Sequence, residues 1–213
     1  MSLFDALEAL LEEHDRVGSP LRDRLVPGTP PDQTEAAIRG LGLTPTSELL
    51  DLFAWHAVRD MPGDDARITW FWPASPLRLD EAVSSYRQSM QLGGVTPEEL
   101  VEHLAAGGPG STLTGFWRSD WFPILSGDPE EYAAVCALNG EHLVESRVWR
   151  QNWHPHDIFQ SAQIAPSITS FVDRIVELFR AGAYVWDAEQ RDIATVNEVF
   201  EALDLGRTGR PWQ

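Results

Sequence analysis

The stretch TLTGFWRSDWFPILSGDPEEYAAVCALNGEHLVESRVW, residues 112–149, decides the expected fold. It consists of short runs of apolar, β-branched and aromatic residues, separated by the turn residues Gly127-Asp128-Pro129 and Asn139-Gly140. Asn-Gly is a strong signal for a tight hairpin turn. The stretch therefore predicts a meander of short antiparallel strands.

Helical patterns precede this meander. Residues 3–14 carry a stripe of leucines at helical spacing, and a second helix is expected from Asp32, with Glu35 completing a capping box. Thr44-Pro45 is typical of the start of a third helix. A short strand is predicted at 67–72, and a fourth helix at about 79–91.

Further helices follow the meander. From Ile168 to Phe179 apolar residues repeat every 3.6 positions, and Gly182 is placed to end that helix. AYVWD, residues 183–187, is expected to form a short strand, and 189–203 a last helix. Helices, then strands, then helices predict a single α+β domain whose sheet is largely antiparallel.

Composition restricts the function. The 213 residues carry a net charge of −17, from 33 acids against 16 bases, and every base is arginine. A chain without lysine cannot build a Walker-type phosphate loop, a protein-kinase nucleotide site or a lysine Schiff base. Such acidity also disfavours nucleic-acid binding, which depends on neutralised phosphates, and favours cationic partners.

The expected compartment is the cytoplasm. No apolar run approaches the roughly 18 residues that cross a bilayer, and the acidic N-terminus lacks the basic start of a signal peptide. The single Cys136 excludes an intrachain disulfide and is expected to be a buried, inert thiol. We expect no membrane association and no cofactor.

The segment WRQNWHPHD, residues 149–157, contains the one pattern that could bind a metal ion. His154 and His156 would share a face of a strand, and Asp157 lies beside them, so the three could bind zinc in a hydrolase. Pro155 disturbs strand geometry, and no complementary ligand pattern occurs elsewhere in the chain. A polar turn with partly exposed imidazoles is the favoured interpretation.

Tryptophan is the other candidate for function. Six of the nine tryptophans lie on or beside the strands predicted before Ile168, and each could pack in the core or anchor an interface. If several are exposed, tryptophans bordered by carboxylates could receive an arginine or lysine of a partner protein. The residues expected to bind the partner are Trp70, Trp72, Trp117, Asp120, Trp121, Asp128, Glu130, Glu131 and Trp153.

Four segments resemble a known family. GFWRSDWFPIL, residues 115–125, resembles the W-x-P-x-W-x-P-I motif of the SUKH superfamily, which includes the Smi/Knr-type cell-wall regulators and many bacterial immunity proteins. TEAAIRGLGLTPTSELLDLFAWHA (34–57), LRLDEAVSSYRQ (77–88) and APSITSFVDRIVELFRAGAYVWD (165–187) resemble other family segments in the same order. The chain departs from the family pattern at Leu43-Thr44-Pro45 and at His56-Ala57, where the family has Leu-Pro and Asn-Gly.

The resemblance implies a curved, largely antiparallel sheet with helices packed on one side, over residues 34–187. Residues 1–33 would add a helix and a Pro/Gly-rich connector, and residues 188–213 a helical extension. The implied function is non-enzymatic: an immunity protein that covers the active site of a toxin, such as a basic nuclease, with an acidic, Trp-bearing surface. A regulatory or scaffold protein that binds a cellular partner is the alternative, and the zinc hydrolase is a second alternative.

Overall fold

A computed structural model describes residues 2–58, 75–96, 99, 117–126, 133–137, 147–151 and 162–202. These residues form a mixed α+β fold, as the order of the sequence patterns predicts. None of the helices within these ranges is both long and apolar enough to cross a lipid bilayer.

Helix α1 (Leu3–Val17) begins at a capping box. The Ser2 hydroxyl accepts a hydrogen bond from the Asp5 N–H (3.2 Å), and the Asp5 carboxylate accepts one from the Ser2 N–H (2.9 Å). The bond from the Ser2 backbone, with a second one from its hydroxyl, lowers the pKa of Asp5 below its ordinary value. The helix ends at Gly18, whose φ of +85° is readily adopted by glycine alone.

Two shorter helices follow, and both begin differently from the prediction. Helix α2 (Pro31–Arg39) has Pro30 at its N-cap and no side-chain cap, so the capping box expected at Asp32 is not formed. Glu35 instead pairs with Arg39, one turn along the helix (2.8 Å). Helix α3 (Ser47–Trp55) is capped by Thr46 and not by Thr44, because the Thr46 hydroxyl accepts from the Leu49 N–H (3.3 Å).

Helices α4 and α5 match the sequence patterns closely. Helix α4 (Leu79–Gly93) covers the predicted range of 79–91. After α4, Thr96 and Glu99 form a capping box through reciprocal hydrogen bonds (2.7 and 3.2 Å). Helix α5 (Ile168–Arg180) buries the apolar stripe that its period predicts.

The largest sheet contains five antiparallel strands in the order β3-β6-β7-β8-β9. Three further strand pairs are separate from it: β1–β2 and β10–β11, which are antiparallel, and β4–β5, which is parallel. The described strands therefore form several small sheets, whereas the sequence predicted a single one. The strands are β1 (Leu25–Pro27), β2 (His56–Val58), β3 (Ser75–Pro76), β4 (Gly94–Val95), β5 (Trp117–Arg118), β6 (Trp121–Ser126), β7 (Ala133–Ala137), β8 (Arg147–Gln151), β9 (Ala162–Ala165), β10 (Tyr184–Asp187) and β11 (Asp192–Thr195).

Two strand pairs bear on the prediction in detail. Strands β7 and β8 pair as expected, with Ala137 opposite Arg147, and the predicted turn at Asn139-Gly140 lies outside the described residues. Later in the chain, 192–195 forms strand β11 against β10, and helix α6 begins at Asn197 and is described to Ala202. The predicted helix at 189–203 is therefore wrong in its first half, and the expected boundary at residue 188 falls inside a hairpin.

One core unites the N-terminal helix with the rest of the chain. Helix α1 packs against α3 and α5, and α4 packs against β6. Most core side chains come from these elements, with strand β6 giving Trp121, Phe122, Ile124 and Leu125, each at most 2% exposed. The N-terminal segment 1–33 thus contributes to the core of the predicted domain, because the leucines of α1 are buried against α3 and α5.

Charged groups join the helices at both ends of α5. At its start, the Glu48 carboxylate of α3 accepts from the Ile168 and Thr169 N–H groups (3.1 Å each) and from the Thr169 hydroxyl (2.5 Å). At its end, Glu13 of α1 accepts from Arg180 (3.0 Å) and from Arg16 (2.6 Å). An anion at a helix N-terminus is favoured by the helix dipole, so Glu48 acts as a cap supplied from another helix.

Candidate functional site

The described residues of the predicted tryptophan surface lie inside the protein. Trp117 and Trp121 are 1% and 0% exposed, and Asp120 is 1% exposed. The two indole rings meet edge to face at 6.0 Å, and the Trp117 Nε1–H donates to the Trp121 carbonyl oxygen (3.1 Å). In this conformation their side chains support the start of β6 and are too buried to contact a partner.

The turn between β5 and β6 is fixed from helix α4. The Tyr86 hydroxyl donates to the Ser119 carbonyl oxygen (2.8 Å). Burial raises the pKa of the Tyr86 phenol, and the nearby charge of Asp120 raises it further. At this turn a buried carboxylate, Asp120, lies close to a tyrosine, Tyr86, that stays protonated. Both side chains are buried, so they support the turn and are not available for recognition.

The other predicted residues lie outside the described residues. They are Trp70, Trp72, Asp128, Glu130, Glu131 and Trp153, together with the possible zinc ligands His154, His156 and Asp157. In the part of the chain that the structure describes, no three His, Cys, Asp or Glu side chains are grouped so that they could hold a metal ion. The partner-binding role of the first six therefore stays a prediction.

The structure instead reveals a cleft that the sequence did not indicate. It has a volume of about 430 Å³ and opens between the β1–β2 pair, the end of α3 and the start of α4, with β6 beneath. This volume lies within the range of about 300–1,000 Å³ that is typical of ligand-binding sites. The residues that line it are Val26, Pro27, Thr29, Leu52, Phe53, His56, Ala57, Pro76, Leu77, Arg78, Leu79, Asp80, Ile124 and Leu125.

The floor of the cleft is apolar and firmly supported. Leu52, Phe53, Ile124 and Leu125 are each at most 8% exposed, so only small parts of their side chains reach the cleft. The ring of Phe53 meets that of Phe122 edge to face at 6.0 Å. Because the floor belongs to the main core, the cleft keeps its shape without a bound partner.

One wall depends on a close backbone approach. The Thr29 N–H donates to the Phe53 carbonyl oxygen (2.7 Å), which docks the end of β1 onto the end of α3. A Cβ atom at Gly28 would overlap the carbonyl groups of Phe53 and Ala54. Glycine is therefore required at position 28, and the wall is built from backbone as much as from side chains.

His56 stands at the junction between α3 and β2. Its Nδ1 lies 3.3 Å from the Val26 carbonyl oxygen, and its ring meets that of Trp55 edge to face at 4.9 Å. A carbonyl oxygen only accepts, so this contact is a hydrogen bond when Nδ1 carries the proton, which leaves Nε2 as an acceptor. Trp55 is itself fixed by a hydrogen bond from its Nε1 to Glu8 (2.7 Å).

The opposite rim carries the charges of the cleft. The Arg78 Nε and an Asp80 carboxylate oxygen are 3.4 Å apart, and the two side chains are 49% and 74% exposed. An ion pair this exposed contributes roughly 0–1 kcal/mol, so it holds neither side chain firmly. The lining thus offers apolar contact area with a histidine, an arginine and an aspartate at its edges, which suits recognition.

Sequence reasoning missed this site because four distant segments build it. Residues 26–29, 52–57, 76–80 and 124–125 each look like ordinary strand or helix ends when they are read alone. His56-Ala57 and the run Leu77-Arg78-Leu79-Asp80 both lie within segments that resemble the SUKH superfamily, but no pattern in either segment indicates that the two meet.

Comparison of the sequence with known families and proteins gives no match. No protein-family model matches the chain, and no curated protein matches it.

Proposed function

We propose that this chain is a non-enzymatic protein-binding module of SUKH type, acting as an immunity protein that neutralises a toxin by covering its active site. The carrying observation is the open cleft, in which an apolar floor is bordered by exposed polar groups. Binding sites are commonly lined in this way, by a mostly apolar surface with a few placed polar groups. The cytoplasm is the proposed compartment.

The architecture supports the family proposal at a coarse level. The described five-stranded antiparallel sheet has α4 packed against β6, and α5 against β8 and β9. A SUKH fold would join this sheet and the smaller strand pairs into one curved sheet with its helices on one side. In that arrangement the cleft would lie at the edge of the sheet, beside β3.

The net charge of −17 supports a basic partner. An acidic protein attracts a cationic one over distances up to the Debye length, about 8 Å at physiological salt, so encounter would be fast and sensitive to salt. Steering raises the association rate more than the lifetime of the complex, so the apolar cleft would have to supply the lifetime.

The test is capture of a partner from cells of the source organism, followed by co-expression. The tagged chain should retain a basic protein at low salt and release part of it at moderate salt. When that protein is expressed alone it should arrest growth, and co-expression of this chain should restore growth. A captured partner without toxicity would replace immunity with the regulatory role, and failure to capture any partner would contradict the proposal.

Two matched variants connect the function to the cleft. Ala57→Trp should fill the cleft and abolish both capture and growth rescue. Ser84→Trp places the same side chain on an exposed position of α4 that does not line the cleft, and it should behave like the wild type. Equal rescue by both variants would show that the partner binds elsewhere.

A further inference from the structure

On the α4 side of the cleft, residues 76–78 offer no free backbone N–H to an incoming strand. Pro76 has no N–H, and the Leu77 N–H already donates to the Ile124 carbonyl oxygen of β6 (3.0 Å). The Arg78 N–H donates to the Glu81 carboxylate (2.9 Å). Addition of a partner strand needs a row of free backbone groups, and these three consecutive positions have no free N–H.

The β1 side is closed in the same way. Pro27 has no N–H, and the Thr29 N–H donates to the Phe53 carbonyl oxygen (2.7 Å). Proline at the end of an edge strand is a common means of preventing strand addition. At positions 27, 29 and 76–78 a partner segment finds no free backbone N–H, which favours its recognition through side chains.

The apolar floor of the cleft favours an apolar side chain of the partner. Leucine and phenylalanine side chains from three elements line the space between these walls, so an apolar side chain of a partner that enters it is removed from water. Burial of this kind anchors partner segments in other interfaces.

The charged rim of the cleft favours a cationic residue next to that apolar side chain in the partner. Asp80 is 74% exposed, and its ion pair with Arg78, at 3.4 Å, is long and loosely held. A cationic side chain of the partner can replace Arg78 at Asp80 at little cost. The overall charge of −17 favours such a partner over an acidic one that would pair with Arg78.

We infer that the cleft binds an apolar side chain of a basic partner segment, with Asp80 accepting hydrogen bonds from an adjacent cationic residue of that segment. This inference rests on the proposed protein-binding function and specifies the partner's chemistry at the site. The recognised unit is a short run in which arginine or lysine flanks leucine or phenylalanine.

The experiment is a titration of the full chain, labelled with ¹⁵N, with three blocked pentapeptides followed by nuclear magnetic resonance. The peptides are Gly-Arg-Leu-Arg-Gly, Gly-Glu-Leu-Glu-Gly and Gly-Arg-Gly-Arg-Gly. The first should shift the amide signals of Ala57, Leu77 and Asp80 in the millimolar range, and the other two should not. Equal shifts with the acidic peptide would overturn the charge assignment, and equal shifts with the leucine-free peptide would overturn recognition of an apolar side chain.

Two variants that differ in charge sharpen the test. Asp80→Asn should weaken binding of the basic peptide about two- to fivefold, whereas Arg78→Gln should leave it unchanged or strengthen it. Ala57→Trp should abolish the shifts, and Ser84→Trp should retain them. The reverse order for Asp80 and Arg78, or no shift at the cleft with any peptide, would overturn the inference.

The outcome is separable from that of the proposed function. A chain that captures and neutralises a toxin but ignores all three peptides keeps its function and loses this site chemistry. A chain that binds the basic peptide in the cleft but rescues no cell keeps the site chemistry and loses the immunity role.

Discussion

Charged residues have different roles in two regions: the contacts of Glu48 and Glu13 with helix α5, here called the helix seam, and the cleft rim formed by Arg78 and Asp80. At the seam, Glu48 accepts three hydrogen bonds at the start of α5, and Glu13, 7% exposed, accepts from two arginines at its end. At the rim, Arg78 and Asp80 are separated by 3.4 Å and largely exposed. The charged groups of the seam are hydrogen-bonded between helices and stabilise their packing, whereas those of the rim are exposed and available to a partner.

The largest expected effect tests the seam at Glu48. Glu48→Ala should lower the free energy of unfolding by about 2–3 kcal/mol, because two N–H groups and a hydroxyl lose a charged acceptor. Urea unfolding followed by tryptophan fluorescence measures this. Glu35→Ala is the control, since its exposed pair with Arg39 on α2 should contribute less than about 0.5 kcal/mol. Similar losses for both would mean that the cap from α3 does not stabilise α5.

The second effect concerns Glu13 and depends on pH. Burial alone would raise its pKa, but hydrogen bonds from Arg16 and Arg180 outweigh burial and hold the pKa below the ordinary value of 4.5. A carboxyl whose pKa is lowered by folding stabilises the fold above the unfolded pKa, and this contribution disappears as the pH falls through the folded pKa.

Glu13→Gln should therefore destabilise the protein by about 1–2 kcal/mol at pH 7, since the arginines are half exposed and each pair is partly screened. The difference from the wild type should stay constant down to about pH 5 and shrink below pH 4. Urea unfolding at a series of pH values measures it, and a difference that grows on acidification would contradict the assigned pairing.

A third substitution should act in the opposite direction. Thr34 of α2 is fully buried, and its hydroxyl oxygen has no hydrogen-bond partner among the residues that the structure describes. Thr34→Val keeps the shape and removes the unsatisfied hydroxyl, so it should raise the free energy of unfolding by about 1 kcal/mol. The same change at Thr46, whose hydroxyl caps α3, should lower it by about 1 kcal/mol. Thermal unfolding of the two variants should therefore shift in opposite directions.

The smallest expected effect is at the rim. Asp80→Asn should change the free energy of unfolding by less than about 0.5 kcal/mol, because the pair with Arg78 is long and exposed. The measurement is the same urea titration that tests Glu48. A loss as large as that at Glu48 would show that the rim charges hold the fold and are not available to a partner.

Local patterns predicted the parts of this fold that local physics decides. The apolar stripe of α5 and the start of α4 were correct because helical periodicity belongs to consecutive residues. The segment from Asp192 to Thr195 was predicted to be helical, but it forms a strand because β10 offers a hydrogen-bonding edge. No local pattern contains that information.

The candidate site was harder to predict for the same reason. Tryptophans are favoured both in cores and at interfaces, so their sequence could not show that Trp117 and Trp121 are buried. The cleft requires contact between the chain near residue 28, the end of α3 and the start of α4, and only tertiary packing brings these together.

The hydrogen bond between Glu13 and Arg180 joins residues that are 167 positions apart. At a synthesis rate of about 5–20 residues per second, helix α1 leaves the ribosome roughly ten to thirty seconds before the helix that covers its apolar stripe. For that interval Leu3, Leu7, Leu10 and Leu11 have no α5 to pack on. The contact between α1 and α5 can therefore form only after α5 has been synthesised, and the acidic residues of α1 disfavour association of its uncovered leucines during that interval.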